Sequence, residues 1–251
     1  MKQISLFATA LLAASGAFAQ TAIDQNKALA GNVTPGDTPG FPVTLSAPGS
    51  YKLTGNLTVP QGSKGIVITA DEVTLDLNGF RISGPSKCTR NAATRIVSCT
   101  HDDDESIGID ARAATGSMVR NGTVTGFGGA GVHVGTADHY DGLRLAENKW
   151  GLLSLVSGSD GGGAHVRNCT LETNRNHGMF MFRGLVSNCR ALNNGVNGFA
   201  GNGPGLTVTD SQALGNGGMG FTAVSARGTY TDRDVHMVRS MGANMKNETP
   251  Y

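Results

Sequence analysis

The sequence predicts an all-β fold, a parallel β-solenoid in which each turn of the chain stacks on the turn before it. The first observation is a repeat: four segments carry an apolar residue two positions before Asn or Asp and a small residue directly after it, at 119–122, 166–169, 186–189 and 208–211, with a looser copy at 140–143. The copies recur every 20 to 27 residues, which is the length of one solenoid turn. Such a turn cannot bury its apolar side alone, so neighbouring turns must stack.

A second observation is that asparagine recurs at two positions of the repeat. One is the turn residue, and the other lies six residues further on; together they give five candidates for a structural ladder, namely Asn168, Asn174, Asn188, Asn194 and Asn216. Stacked turns lie about 4.8 Å apart, so equivalent positions lie directly above one another. Asn tolerates the left-handed backbone of a tight corner, and its amide can bond the neighbouring backbone or another Asn. We therefore expect all five side chains to point into the corners of the solenoid.

A third observation is that Gly and a large apolar residue close each copy, as in Gly178-Met179, Gly198-Phe199 and Gly220-Phe221. The copies with Val-x-Asn-Cys followed by Asn-x-x-x-Gly-Phe resemble the right-handed parallel β-helix of the pectin-lyase-like superfamily. The segment 73–80 resembles the first full turn of many secreted bacterial members. This resemblance covers residues 41–235 and implies about eight turns, whereas the activity stays open because the fold hosts lyases, hydrolases, epimerases and adhesins.

The N-terminal end is typical of an exported protein. Lys2, the apolar run 4–14 and the sequence Ala17-Phe18-Ala19 predict a signal peptide at residues 1–19, cleaved after Ala19, and therefore a periplasmic or secreted protein. That run is too short to cross a bilayer, and no later stretch is long enough, so we expect no transmembrane segment. The net charge of +1 gives no field that would attract nucleic acid or an anionic membrane.

The rest of the chain divides by its pattern. Residues 20–40 form a non-repetitive N-terminal segment, and residues 41–235 form the β-helix domain, which begins with cap strands near 43–45 and 51–53 and contains a loop insertion at 84–106. Residues 236–251 form a C-terminal cap or tail. There Met237, Met241 and Met245 recur every four residues, which favours a short helix packed on the last turn over a copper site with His236 and His177.

Four cysteines in an exported chain invite pairing. Cys88 and Cys99 lie at two points of the insertion, and we expect a disulfide between them to restrain it. Cys169 and Cys189 occupy the same repeat position. They are either two small core residues in one column or a second bond, and the first interpretation is favoured because in-register neighbours give a disulfide strained geometry.

The outward strand face follows from alternation along each strand. With the apolar residue of each Gly-apolar pair pointing inward, the outward residues are Asp110, His133, Leu153, Phe180, Ala200 and Thr222, and then Arg112, Leu155, Phe182 and Asn202. Asp110, Arg112 and His133 form a polar cluster, and Leu153, Leu155, Phe180 and Phe182 form an apolar strip beside it. The acidic run Asp102, Asp103 and Asp104 precedes this face in the insertion.

Two functions fit this face. The first is a non-catalytic exported protein that binds a polysaccharide, a cell-surface glycan or another surface partner through the apolar strip and the acidic run. The second is a small polyuronate lyase or epimerase with Asp110, Arg112 and His133 as catalytic residues, since Arg can bind a uronate carboxylate and His can move a proton. We expect no cofactor and no metal in the first case, and Ca²⁺ is an option only for a lyase. The signatures of pectate lyases (Trp-Ile-Asp-His) and of polygalacturonases (Gly-His-Gly) are missing, which favours binding.

Overall fold

The computed structural model describes residues 20–155, 163–202 and 205–232, together with the backbone of three later strands, Val235–Ser240, Met245–Lys246 and Thr249–Pro250. The predicted signal peptide, residues 1–19, lies outside the described residues. Within the described ranges, no helix has both the length and the apolar character that a membrane span requires.

The strands are short, as expected for a corner-rich solenoid. The N-terminal part contains β1 Thr21–Ile23, α1 Gln25–Ala30, β2 Val43–Leu45, β3 Gly49–Leu53, β4 Leu57–Thr58, β5 Ile66–Ile68, β6 Val73–Asp76, β7 Arg81–Ser83, β8 Cys88–Arg90 and β9 Val97–Cys99. The middle contains β10 Ile109–Asp110, β11 Met118–Thr125, β12 Ala130–His133, β13 His139–Ala146, β14 Trp150–Leu153, β15 Ala164–Arg167, β16 Thr170–Glu172, β17 Met179–Met181 and β18 Gly184–Ser187. The C-terminal part contains β19 Arg190–Leu192, β20 Phe199–Gly201, β21 Leu206–Thr209, β22 Gln212–Leu214, β23 Phe221–Arg227, β24 Tyr230–Thr231, β25 Val235–Ser240, β26 Met245–Lys246 and β27 Thr249–Pro250.

These strands form three parallel columns, which confirms the predicted all-β solenoid of about eight turns. The first column runs β2, β5, β10, β12, β14, β17, β20 and the start of β23. The second runs β1, β3, β6, the first half of β11, the first half of β13, β15, β18, β21 and the end of β23. The third runs β4, β7, the ends of β11 and β13, β16, β19, β22, β24 and β26.

The core is a set of stacked apolar columns inside the coil. The apolar residues that alternation places inward in the first column are all fully buried: Ile109, Val132, Leu152, Met179, Phe199 and Phe221. Their backbone register is continuous from turn to turn, and the rings of Phe199 and Phe221 stack with their centroids 5.3 Å apart. The inward and outward faces of this column are therefore those that the sequence predicts.

The N-terminal end is closed by α1. Asp24 caps the helix by accepting a hydrogen bond from the Lys27 amide at 2.8 Å, and Ala28 is buried against the core. The strands near 43–45 and 51–53, expected as a cap, instead pair in parallel with β5 and β6 and belong to the regular stack. Part of the segment 20–40 also joins the sheet, because β1 adds to β3.

An asparagine ladder fills one corner of the solenoid. Asn174, Asn194 and Asn216 are fully buried, and Asn148 extends the column by one turn. The Asn174 side-chain amide donates to Asn194 Oδ1 at 2.9 Å, and the Asn194 amide donates to Asn216 Oδ1 at 2.9 Å. Each of these amides also donates to a backbone carbonyl of the preceding strand, so the buried corner has its polar groups paired.

Asn168 and Asn188 do not belong to this ladder, which corrects the expectation that all five asparagines point inward. Both are exposed and have left-handed backbone, with φ of 56° and 52°. Asn168 turns outward and donates to Asp141 Oδ1 at 2.8 Å. The physical reason is that this second corner requires a residue that tolerates positive φ, whereas the ladder corner requires buried amide groups.

The insertion 84–106 is an antiparallel hairpin of β8 and β9, closed by a Cys88–Cys99 disulfide. It lies lengthwise across the coil and contacts five successive turns, through Glu147, Arg175, Gly195, Gly215 and Asp232. Glycine is needed at Gly195, because a Cβ there would clash with the backbone oxygen of Arg175, and Val97 of the hairpin packs over the same position. The second pair of cysteines, Cys169 and Cys189, is buried and not bonded.

The expected C-terminal helix is wrong. β25 pairs in parallel with β23, β26 pairs in parallel with β24, and β27 turns back on β26 in antiparallel orientation. The last turn of a solenoid presents unpaired backbone groups, and a strand satisfies them where a helix does not. Met237 and Met245 therefore lie in strands, and Met241 lies outside the described residues, so the four-residue recurrence of methionine does not reflect a helix over this segment.

Candidate functional site

The predicted polar cluster forms on the outward side of the first strand column. β10 and β12 pair with Asp110 directly beside His133, and Arg112 follows β10 by two residues. Arg112 binds Asp110 with both ends of its guanidinium, Nε to Oδ1 at 2.9 Å and Nη2 to Oδ2 at 2.7 Å. The three residues that alternation selects are therefore neighbours in space.

Asp110 is held more tightly than the sequence suggests. Lys64, from the preceding turn, places its Nζ 2.9 Å from Asp110 Oδ2, so that the carboxylate has two cationic partners. Asp110 is only 5% exposed, although its strand position faces outward. Burial opposes the ionisation of Asp110, but the hydrogen bonds from Arg112 and Lys64 outweigh it and hold the pKa of this carboxyl well below its ordinary value.

His133 is similarly enclosed. It is 5% exposed, and its burial, together with the charge of Arg112, lowers the pKa of the imidazole to about 4. His133 is therefore neutral at neutral pH. An imidazole with this pKa is a weak base and has no acidic proton to donate under those conditions.

The end of the insertion completes the polar side of the site. Glu105 lies 3.3 Å from Lys64 Nζ and 3.9 Å from Arg112 Nη2, and its own side chain is largely exposed. Lys64 and Arg112 thus balance Asp110 and Glu105. The charges neutralise one another, and Arg112, with its side chain 40% exposed, is the cation most accessible to a ligand.

One groove of about 510 Å³ is lined by part of the polar cluster and part of the apolar strip, whereas Asp110 and Phe182 are not in its lining. Its lining comprises Asp104, Glu105, Arg112, Gly129, Ala130, His133, Trp150, Leu153, Leu155 and Phe180. Most of this lining is apolar, and Leu155 is 55% exposed. A mainly apolar groove with a few polar groups at one end is typical of a ligand-binding site.

Aromatic rings from two successive turns continue the floor of the groove. The ring centroid of Trp150 lies 6.0 Å from that of Phe180 and 5.1 Å from that of His177. Phe182 extends the row, with its centroid 5.6 Å from that of Phe180. Burial lowers the pKa of His177 to about 4, so this ring is also neutral.

The acidic run of the insertion is engaged by cations of the solenoid. Lys149 Nζ lies 2.7 Å from Asp102 Oδ1 and 2.8 Å from Asp104 Oδ1, and Arg175 also pairs with Asp102. The hydrogen bond from Lys149 and that from Arg175 lower the pKa of Asp102. Asp103 accepts a hydrogen bond from the Glu105 amide at 3.1 Å and does not line the groove. These contacts dock the insertion, and only Asp104 of the run reaches the groove.

Sequence alternation missed several residues of this site. Lys149 and Arg175 come from corners, where alternation gives no direction. A signal for Lys64, Trp150 and His177 was present, however, because each directly precedes the Gly of a Gly-apolar pair and all three therefore occupy equivalent positions of the repeat. Among the described residues, no three His, Cys, Asp or Glu side chains come together as a metal site.

Comparison with known proteins agrees with the architecture. A family model described as a right handed beta helix region matches residues 78–235, which is more than half of the chain. No curated protein and no solved structure matches the chain.

Proposed function

Because this chain belongs to the right-handed β-helix family, whose scaffold does not by itself specify an activity, we propose its function from the features of the groove. We propose that it is an exported, non-catalytic protein that binds a glycan. The observation that carries this proposal is the placement of Trp150 and Phe180, with ring centroids 6.0 Å apart, on the floor of a groove whose far end carries Arg112 and His133.

The aromatic floor suits the apolar face of a sugar ring. A pyranose presents C–H groups on its faces and hydroxyl groups at its rim, so it can stack on Trp150 or Phe180 while its hydroxyls bond to polar groups beside them. Trp150 belongs to one turn, and Phe180 and Phe182 belong to the next, two residues apart along one strand and its continuation. The row of rings therefore favours a short stretch of sugars lying along the strand direction.

The polar end favours binding over chemistry. Asp110 is ion-paired to Lys64 and Arg112 and has a depressed pKa, which makes it a poor proton acceptor. The low pKa of His133 has the same consequence. The charged side chains that line the groove are each paired, Arg112 with Asp110, Glu105 with Lys64 and Asp104 with Lys149, which suits a neutral glycan.

Trp150 is the only tryptophan of the chain, so its fluorescence reports directly on the groove. We expect neutral oligosaccharides to change the emission of Trp150 in a saturable way. Phe180→Ala should weaken the binding by more than about fivefold, which corresponds to roughly 1 kcal/mol, because it removes half of the stacking floor. Leu185→Ala is the matched control, since Leu185 is 40% exposed but lies in the second strand column.

Loss of binding in Leu185→Ala to the same extent, or unchanged binding in Phe180→Ala, would contradict the proposal.

The second candidate is a polyuronate lyase or epimerase at Asp110, Arg112 and His133, and the exposure of Arg112 beside His133 is the observation that favours it. Ultraviolet absorbance detects the unsaturated products of a lyase. If the wild-type protein cleaves a polyuronate and the folded Asp110→Asn variant does not, the catalytic function would replace the binding function proposed here.

A further inference from the structure

A second site stands on the second strand column, away from the groove. β11, β13 and β15 are consecutive strands there, and the backbone register pairs Met118 with His139 and His139 with His165. The three residues are thus stacked in one outward column on three successive turns, about 4.8 Å apart. They line a shallow depression of about 420 Å³, whose rim includes Asp141, Arg167 and Leu185.

The two imidazoles are close and accessible. Their ring centroids lie 5.0 Å apart with an interplanar angle of 46°, and both residues are exposed. Exposed side chains can change rotamer without disturbing the core, so a small rotation can turn one nitrogen of each ring toward a common point. His139 is the middle residue of the three, so a metal bound to its outward nitrogen, with a bond of about 2 Å, lies between the side chains of the two neighbouring strands.

The third donor decides which metal the column fits. The neighbouring carboxylate, Asp141, is occupied, because Arg167 and Asn168 donate to it at 3.0 and 2.8 Å. The remaining neighbour in the column is the Met118 thioether, which lies on the other side of His139. Thioether sulfur is a soft ligand that selects monovalent copper, whereas Zn²⁺ and harder ions prefer thiolate, imidazole or carboxylate sets.

The shape of the strand face favours the same ion. A flat column offers donors from one side only, in a row, and it cannot surround a metal that needs four or six ligands. An ion that needs only two or three soft ligands suits this flat strand face better. The paired charges of Asp141 and Arg167 beside the column leave no net charge that would repel a monovalent cation.

We infer that Met118, His139 and His165 form a surface site for Cu(I). The two imidazole nitrogens and the thioether sulfur are its ligands, and the site is independent of glycan binding in the groove. Binding here is simple coordination, without a change in the oxidation state of the metal.

The test is competition for Cu(I) under anaerobic conditions, with the metal supplied as its coloured bicinchoninate complex to the purified full chain. We expect the chain to withdraw one equivalent of copper. His139→Ala and His165→Ala should each weaken the affinity at least about tenfold, as loss of a ligand does. His101→Ala is the matched control, because it removes an imidazole from the insertion, and it should bind as the wild type does.

Met118→Leu separates copper from other metals. It should weaken Cu(I) binding and abolish the copper–sulfur scattering in X-ray absorption, while leaving any weak binding of Zn²⁺ unchanged. Unaltered Cu(I) affinity in Met118→Leu or in either histidine variant would overturn the inference, as would an equal loss in His101→Ala. Circular dichroism checks that the variants fold, and if His139→Ala fails to fold, His165→Gln and Met118→Leu decide the outcome.

Discussion

Arg112 holds Asp110 in a bidentate pair, with Nε 2.9 Å from Oδ1 and Nη2 2.7 Å from Oδ2. Lys64 adds a third contact at 2.9 Å, and Asp110 is 5% exposed. Strand alternation predicts an exposed carboxylate at this position, whose removal would leave stability nearly unchanged. The structure instead makes Asp110 the shared counter-ion of two cations on different turns, so its removal has a structural consequence.

Asp110→Asn should lower the free energy of unfolding by about 1 to 3 kcal/mol at neutral pH, because Lys64 and Arg112 lose their common partner. The partial exposure of both cations limits the loss. The folded-state pKa of Asp110 is depressed, so its contribution is present above the unfolded value of about 4 and is lost as the pH falls below it. Urea titrations should show a smaller difference from wild type at about pH 3 than at about pH 7. Equal midpoints at neutral pH would contradict this role.

The burial of His133 predicts a second pH dependence of the stability, this time from a buried neutral imidazole. Its folded-state pKa of about 4 is below the unfolded value of about 6.5, so the unfolded chain binds a proton first as the pH falls. Stability should therefore be full above about pH 6.5 and should decline toward pH 4, by on the order of 2 to 3 kcal/mol. His133→Gln should reduce this decline. An NMR titration that showed the His133 ring protonating near pH 6.5 in the folded protein would refute the assignment.

The asparagine ladder predicts that two similar residues respond differently. Asn194→Leu should cost about 2 to 4 kcal/mol, because it removes the acceptor of the buried Asn174 backbone amide and the side-chain donor to the Leu171 carbonyl. Asn188→Gly should stay within about 0.5 kcal/mol, because Asn188 is exposed and glycine accepts its φ of 52°. Urea titration of both variants provides the comparison. A similar loss in the two would mean that the buried amides do not stabilise the corner.

The cysteines should divide into two classes. Cys88 and Cys99 are bonded and should resist alkylation until a reductant is added. Cys169 and Cys189 are free but buried, and the contact with Cys189, together with burial, raises the pKa of Cys169 well above its usual value. Burial should keep both thiols from reacting until the protein unfolds. Peptide mapping by mass spectrometry distinguishes the classes, and native labelling of Cys169 would argue against a closed core.

The fold was predictable because its signals are local and repeated. Alternation from each Gly-apolar pair identifies the buried Val132 and Phe199, and the same rule brings Asp110 beside His133. The repeat does not encode which outward side chains of neighbouring turns bind one another. Lys64 lies 46 residues before Asp110, and only the coil makes them neighbours. For the same reason alternation alone could not show that the outward-facing Asp110 is covered.

The insertion changes how the stack can come apart. In a solenoid each turn contacts only its neighbours, so turns can fray singly from an end, and unfolding resembles a chain of nearest-neighbour steps. Here Arg90 bonds the Gly215 carbonyl and Arg95 pairs with Asp232, while Lys149 and Arg175 hold the acidic end of the same hairpin several turns away. Loosening the C-terminal turns therefore requires releasing the hairpin as well. We therefore expect the coil from Glu147 to Asp232 to unfold as one cooperative unit rather than as a series of separable repeats.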